Sequence, residues 1–559
     1  MTQSLARDFT ARGQWLAAVR EERREQFRTR FSGDFPQLCS FAGQIIIIGA
    51  LCLGASLPAS AQQGQLATVT VQTRQLGKTI PADFVGLSLE VSTAGQGLAV
   101  PPADRQMGKP AGPGAEYAYS LGEPGWPNTT FFKFMRNLGP GILRLGGNSQ
   151  DNTCWDAKDA PHPDWCKAPI THADMQLYSA AAQASGWKLI LGLNLKQNSA
   201  QWAEREVSEG VAKDIKSSEL LGLEIGNEHD LYERDGKRPG KYSAAADARD
   251  FLAYVKAFRA NPATRSFAAM GPASCCAWRN PRDLATFIDG VGPNNLKLVT
   301  VHNYSTTTCG NRTVTARELL SRELMDRYDR EVKALVAVAD QRHLPIAMAE
   351  TNSASCGGMK GVSNAFTSTL WGLDFLFVSA EDGFTGVNYH ISYRAGGSAY
   401  NPVDTIGWKN GTKGWTFKNK AEPLYYAMYM FARNASGGHV LPTEVQTSSN
   451  VTAYAVSACS GCADKIFVLN KDLTASGEVR VHLTGPMGDA SLLLLDAPKV
   501  DSLAEDVRYG GAQFDEQANI AAPKETLVKP GSDGDYVFTL PNAAVALLTV
   551  EPAEQTVAH

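Results

Sequence analysis

The sequence predicts an α/β protein: a (β/α)8 TIM barrel followed by a C-terminal β-sandwich. Three observations predict it. Between about residues 80 and 430, short apolar runs alternate with longer amphipathic stretches, the pattern of a parallel sheet wrapped by helices. Eight such runs can be counted, the number a barrel needs. After about residue 421 the texture changes to short strands separated by turns, as in a sandwich. A chain of 559 residues, at roughly 150 residues per domain, has room for a barrel and an appendage.

Residues 1–61 read as a signal peptide with a long N-terminal extension. The run 45–57 is apolar and uncharged but falls short of the roughly 18 residues that span a bilayer, so no stable membrane span is expected. Arg-bearing sequence precedes it, and Ala59-Ser60-Ala61 offers a small-x-small cleavage site. The mature protein is therefore expected in the periplasm or outside the cell. In residues 62–79, the stretch 66–73 alternates apolar and polar and is expected to join the sandwich.

The barrel is predicted over 80–430. Its strands are expected at 84–90, 142–145, 188–195, 220–225, 266–270, 296–301, 344–348 and 384–389. Amphipathic stretches such as 245–260, 317–339 and 364–379 are long enough to pack on its outside. The sandwich, 431–559, should contain strands at 451–457, 465–470, 477–483, 491–495 and 536–540.

Composition narrows the chemistry. With 43% hydrophobic and 20% charged residues, the chain is neither disordered nor a polytopic membrane protein. A net charge of −4 leaves no basic field to condense a phosphate backbone, so nucleic acid is not an expected partner. Beyond the leader lie Cys154, Cys166, Cys275, Cys276, Cys309, Cys356, Cys459 and Cys462, an even set that an oxidising compartment could pair. Cys459 and Cys462 lack the second ligand pair that a zinc site needs, and neither a metal nor another cofactor is expected. Gly77-Lys78-Thr79 resembles the tail of a phosphate-binding loop, but position 72 is Gln where such a loop needs Gly.

In a barrel of this kind the chemistry sits where strands end at the C-terminal face. The fourth run closes as Glu224-Ile225-Gly226-Asn227-Glu228, and the seventh as Met348-Ala349-Glu350. Two carboxyl groups about 5 Å apart across a glycosidic bond suffice for retaining hydrolysis, one as nucleophile and the other as acid/base. Asn227 can hydrogen-bond a sugar 2-hydroxyl, which assigns Glu228 as the acid/base and Glu350 as the nucleophile. Glu228 should then have a raised pKa, and Glu350 should stay ionised. Arg144 in the second run could pair with Glu350 or equally with Glu224, and the Tyr304 hydroxyl can hold the nucleophile.

Four segments together resemble glycoside hydrolase family 79, the clan A family of β-glucuronidases and heparanases: Leu143-Arg144-Leu145-Gly146-Gly147-Asn148, Glu224 to Glu228, Ala349-Glu350-Thr351-Asn352-Ser353 and Gly386-Val387-Asn388-Tyr389-His390. The resemblance runs from about residue 66 to the C-terminus. It implies the same roles for Glu228 and Glu350, and a sugar subsite lined by Asn227 and Tyr304. It adds Glu90 and Asn148 as sugar-hydroxyl contacts, and Tyr389 with Tyr400 as holders of the glucuronate carboxylate. Heparanases have Gly where this chain has Val387. Lys196 and Arg394 are further candidate partners for a carboxylate or sulfate.

The implied function is secreted, retaining, exo-acting removal of terminal glucuronic acid from a β-glucuronide or glucuronate-bearing polysaccharide. The acidic chain lacks the Lys/Arg clusters near the mouth that gripping a sulfated polymer requires, which sets a heparanase-like endo-glucuronidase second. A clan A glycosidase on a neutral sugar, such as an arabinofuranosidase or xylosidase, shares the Asn-Glu pair and the seventh-run Glu. A carbohydrate-binding protein without catalysis would have no use for both glutamates.

Overall fold

Eight parallel strands close on one another, each hydrogen-bonded to the next around the ring. They are β1 (Val85–Glu90), β2 (Ile142–Gly146), β3 (Lys188–Leu193), β4 (Leu220–Ile225), β5 (Ala269–Ser274), β6 (Leu298–Thr307), β7 (Ile346–Ser355) and β8 (Val387–Ile391), with β8 pairing back onto β1. The computed structural model describes residues 64–100, 126–234, 236–238, 240–276, 280–393, 398–409, 415–485 and 487–553. The predicted leader lies outside them.

The helices α1 (Thr129–Asn137), α2 (His172–Ser185), α3 (Ala200–Arg205), α4 (Ala244–Ala260), α5 (Pro281–Val291), α6 (Arg322–Asp340), α7 (Phe366–Asp382) and α8 (Pro423–Asn434) follow the strands in turn. Their boundaries are written locally. Thr171 and Asp174 form a reciprocal capping box at the start of α2, and Gly186 ends it in a left-handed conformation. Asn280 caps α5 just ahead of Pro281, and Ser321 caps α6.

Inside the barrel the alternation of strand residues builds layers. Ile142, Ile190, Met270, Leu298 and Ala347 form an apolar layer of their own. Further along the strands toward their C-terminal ends come Arg144 and Glu224, both fully buried. The apolar floor shields these charges from water on one side and leaves the C-terminal mouth as the open side.

A second pair of sheets packs against the barrel. One sheet contains Gln65–Val71, which pairs antiparallel with Thr443–Gln446 and parallel with Gly477–Leu483. The other is built around Val451–Ser457, Asp464–Asn470, Ala544–Pro552 and Met487–Asp496. Nearly every residue of α7 is buried, because the helix lies between barrel and sandwich and has no solvent face. Phe377 on α7 stacks on Tyr454 at 4.5 Å, and Lys471 pairs with Asp374 at 2.5 Å.

Four barrel strands differ most from expectation, the eighth forming at Val387–Ile391 where 384–389 was expected. The fifth was expected at 266–270 and forms at Ala269–Ser274, while β6 and β7 each continue to ten residues, pairing with one another as far as Thr307 and Ser355. Polar residues such as Ser305 and Thr306 end the hydrophobic pattern there, but their backbones still find partners across the pair. All eight cysteines among the described residues are joined: Cys154–Cys166, Cys275–Cys276, Cys309–Cys356 and Cys459–Cys462. Among the described residues, no helix is long and apolar enough to cross a membrane.

Candidate active site

Glu350 reaches the barrel interior through a local irregularity. On β7, Met348 pairs with Val301 and Glu350 with His302, so Ala349 is an extra residue opposite neighbouring partners. Without this bulge, strict alternation from the inward Ala347 would place Glu350 on the helix side. Glu228 is presented differently. It lies beyond the end of β4 with φ 48° and ψ 46°, a left-handed conformation disfavoured for a side chain of its size. Its N–H donates to the Ala273 carbonyl at 2.9 Å, and Leu231 N–H returns to the Glu228 carbonyl at 2.9 Å.

The two carboxyl groups meet. An oxygen of Glu228, an oxygen of Glu350 and a ring nitrogen of His302 all lie within 4.8 Å of one another. Arg144 is fully buried behind them. Its Nη1 donates to Glu350 at 2.7 Å and to the Ser88 hydroxyl at 3.0 Å, its Nε to Glu224 at 2.5 Å, and its Nη2 to the Asn227 side-chain carbonyl at 2.8 Å. The two pairings foreseen as alternatives occur together. The Tyr304 hydroxyl donates to the other oxygen of Glu350 at 2.8 Å. The Asn227 Nδ2 is buried and has no hydrogen-bond partner among the described residues.

These neighbours drive the two carboxyls apart electrostatically. Burial first, then the negative charges of Glu350 and Asp230, push the Glu228 pKa up to about 8. Burial disfavours the charge on Glu350 as well, but His390, His302, Arg144 and the Tyr304 hydroxyl outweigh it and hold that group well below the usual carboxylate range. His302, with Nδ1 3.3 Å from Glu228, has its own pKa lowered to about 4 by burial and by Arg144, so its ring is neutral near pH 7 and contributes its positive charge only in the acid range where Glu350 itself titrates. One carboxyl thus carries a proton while its neighbour is ionised, as acid/base and nucleophile require. Glu228, His302 and Glu350 are close enough to hold a metal ion, but the Arg144 guanidinium already supplies the positive charge at Glu350.

No family model matches the chain. It is 26% identical to a β-glucuronidase of Aspergillus niger over 350 residues, 56% of this chain and 61% of that protein. It is 24% identical to a β-glucuronidase of Neurospora crassa over 399 residues, 63% of this chain and 70% of that one. A heparanase of Gallus gallus is 24% identical over 323 residues, 48% of this chain and 59% of that one. The chain therefore spans less than two thirds of the first of these relatives. Its fold superposes on a 4-O-α-L-rhamnosyl-β-D-glucuronidase of Fusarium oxysporum with a TM-score of 0.67 at 19% identity, covering 86% of this chain and all of that one. A GH51 arabinofuranosidase of Xanthomonas axonopodis pv. citri gives 0.61 at 14% identity, covering 87% of this chain and all of that one. The sequence relatives are thus β-glucuronidases and a heparanase, and a structural neighbour is a glucuronidase, the proteins to which the family 79 resemblance points.

The remaining residues that the family resemblance singled out divide into those at the mouth and those elsewhere. Glu90, at the end of β1, accepts the backbone N–H groups of Asn148 at 3.2 Å and Ser149 at 2.8 Å. Gly147 is needed beside it: its φ is 83°, and a Cβ there would sit 2.5 Å from a Glu90 oxygen. The Asn148 side chain is exposed. The Tyr400 ring is buried, 6.3 Å from that of Tyr304 and 6.1 Å from that of His390.

Tyr389 is a correction. Its hydroxyl donates to the Gly372 carbonyl at 2.8 Å, and its ring packs on Trp371 and Phe375 of α7. On β8 it faces the helix layer, with no access to a sugar. The neighbour one position on, His390, faces the site: Nδ1 lies 3.2 Å from the Ser88 hydroxyl and 3.6 Å from Glu350, and Nε2 lies 3.8 Å from Glu90. His390, His302 and Ser88 were not singled out from sequence. Period-two alternation would have found His302 from Tyr304, two positions along β6. Arg144, with no surface exposed, supports the carboxylates and does not itself face the substrate. Arg394 falls outside the described residues.

Proposed function

We propose that this protein is an exported retaining glycoside hydrolase that removes terminal β-linked glucuronic acid. The observation that carries the reading is the separation of at most 4.8 Å between oxygens of Glu228 and Glu350, combined with opposite protonation preferences. Carboxyl groups this close leave no room for a water between nucleophile and sugar, which favours a covalent intermediate and retention. The sequence relatives named β-glucuronidase support the choice of sugar.

In the first step Glu350 attacks the anomeric carbon while the glycosidic C–O bond breaks and Glu228 gives its proton to the leaving oxygen. The Asn227 Nδ2 is available to donate to the 2-hydroxyl, an interaction that strengthens as the ring gains oxocarbenium character. Forming the ester removes the negative charge of Glu350, one of the influences that raise the Glu228 pKa. Glu228, now ionised, takes a proton from water as that water attacks the anomeric carbon and frees Glu350. His302 and Arg144 stay in place through both steps, and Tyr304 holds Glu350 in position for attack.

Tyr389 has no part in holding the glucuronate carboxylate, which leaves Tyr400 as the sequence candidate near the site. Four disulfides suit an oxidising compartment and support export. The test is a comparison of aryl β-glucuronide with aryl β-glucoside, with the anomer released first read by NMR. Faster hydrolysis of the glucuronide with β product first is expected; preference for the glucoside, or inversion, overturns the reading. Glu228→Ala and Glu350→Ala should each abolish turnover of natural glycosides.

A further inference from the structure

The loops after β2 and β3 enclose a recess that the two-step mechanism does not use. It is lined chiefly by Thr153, Trp165, Asn194, Gln197, Trp202 and Glu206. Trp165 and Trp202 are half-buried, with ring centroids 6.3 Å apart and planes at 85°, so the pair offers an indole face beside an indole edge. The Cys154–Cys166 disulfide anchors the Trp165 loop to the short strand Thr153–Trp155. Asn194 is committed to the framework, its Nδ2 donating to the Thr153 carbonyl at 2.9 Å.

Glu206 is different. It is only 4% exposed, yet its carboxyl makes no hydrogen bond or ion pair with any described residue. Burial alone pushes its pKa up to about 8, so near neutral pH it is a carboxylic acid with one donor and one acceptor uncommitted. An acid left this way in a wall of indoles and amides wants a neutral polar partner. The nearby cation, Arg205, is already engaged by Glu209 and Asp159, and Lys196 does not line the recess. Among the described residues that line the recess, none offers a positive charge to an anionic ligand.

The position ties this recess to the acid/base. β3 pairs with β4, and Arg238 in the loop after Glu228 donates to the Leu195 carbonyl at 2.7 Å. The recess is therefore built where β2 and β3 end at the C-terminal face, and β3 neighbours the strand that leads to Glu228, the proposed proton donor to the leaving oxygen. The recess, about 10 Å³, has room for a single water-sized group, so a larger ligand could enter it with one hydroxyl only and would have to lie across its mouth. Aromatic faces combined with a few convergent hydrogen-bonding groups are what a sugar ring, apolar on its C–H face and polar at its rim, requires.

We propose that this recess is a leaving-group subsite for a neutral pyranose unit, which stacks on the Trp165–Trp202 pair and places one hydroxyl on Glu206. The assignment of the recess to a leaving group rests on the hydrolase reading above. The experiment compares kcat/KM for a β-glucuronosyl neutral disaccharide with that for methyl β-glucuronide, whose leaving group is too small to reach the recess. Trp165→Ala and Glu206→Leu should each lower the disaccharide-to-methyl ratio by about tenfold; Glu206→Leu replaces a buried, unpartnered acid by an apolar group and should fold normally. Binding of xylobiose to the resting protein, followed by saturation-transfer NMR, is read in parallel and needs no turnover. It should be lost in Trp165→Ala. An unchanged ratio in both variants, or xylobiose binding that survives Trp165→Ala, overturns the subsite. Failure of the wild-type protein to hydrolyse either glucuronide, with xylobiose binding still dependent on Trp165, overturns the hydrolase reading and leaves the saccharide site standing.

Discussion

Arg144 Nη1 lies 2.7 Å from Glu350 Oε2, with the guanidinium wholly buried. The same guanidinium serves Glu224, Ser88 and Asn227, so four acceptors are oriented by one planar group. A lysine ammonium cannot reach them together, because it is a point charge without a fixed fork. Arg144→Lys should therefore keep the charge and lose the geometry, lowering kcat/KM by about 100-fold. Arg144→Gln removes the charge as well and leaves two buried carboxylates uncompensated, a loss of about 3–5 kcal/mol. Steady-state kinetics and denaturant melts of the two variants separate orientation from charge.

The pH profile of kcat/KM should be broad and displaced. As the proposed acid, Glu228 must be protonated to act, and burial with the charges of Glu350 and Asp230 holds its pKa near 8, so the alkaline limb should fall there. As the proposed nucleophile, Glu350 must be ionised, and its carboxyl is held far below the ordinary Glu value of 4.5, so its own protonation should not cut activity until well under that pH. Tyr304→Phe removes a hydrogen bond to the charged form, which should raise the acid limb, lower kcat by about tenfold or more, and leave the alkaline limb close to 8. An acid limb that does not move would separate Tyr304 from the nucleophile's ionisation.

How much of this site the sequence makes legible depends on whether a residue's direction follows from simple alternation. The positions of Glu228 and Glu350 at the ends of their runs, and their meeting in one mouth, follow from strand counting alone. The inward turn of Glu350 does not, since it needs the extra residue Ala349 in β7, and a bulge leaves no compositional mark. Tyr389 and His390 show the cost of a one-residue ambiguity. The apolar residues of β8 face α7, so Tyr389 goes with Val387 and Ile391, and His390 goes to the site with Asn388. The strand shift at β5 has a similar origin. Phe267 and Ala268 extend the apolar run, but pairing with the neighbouring strands begins at the Ala268 carbonyl, which accepts the Leu223 N–H at 2.8 Å, and its register starts at Ala269.

Stability should also depend on pH through Glu228. Its pKa in the folded protein, about 8, lies above the ordinary value of 4.5, so between those values the folded state binds the extra proton. Stability from this group is therefore fully present below pH 4.5 and declines as pH rises toward 8. Glu228→Gln has no charge to bury. It should melt at a higher temperature than the parent at pH 7.5 and at the same temperature at pH 4. Thermal melts of both proteins across that interval measure the difference directly, and a gain that is equal at both pH values would mean the residue acts through packing.

Behind Glu228, the proposed acid/base, the His229 Nδ1 lies 2.6 Å from Asp247 of α4, and neither side chain has exposed surface. Tyr242 adds a hydroxyl to the same Asp247 oxygen at 3.2 Å. His229 directly follows Glu228, whose left-handed backbone costs about 1–2 kcal/mol and needs surrounding contacts to persist. Gly226 allows the arrangement, since its φ is 86° and a Cβ there would lie 2.4 Å from the His229 ring. The pair thus clamps the turn that aims Glu228, without touching substrate. Asp247→Asn removes the ionic component while keeping the shape, so kcat should fall about tenfold with KM within about twofold. His229→Ala should lower kcat further and destabilise the fold. A merely structural role would reduce the amount of folded enzyme and leave kcat per active site unchanged, which active-site titration of Asp247→Asn with a mechanism-based glucuronide inactivator distinguishes.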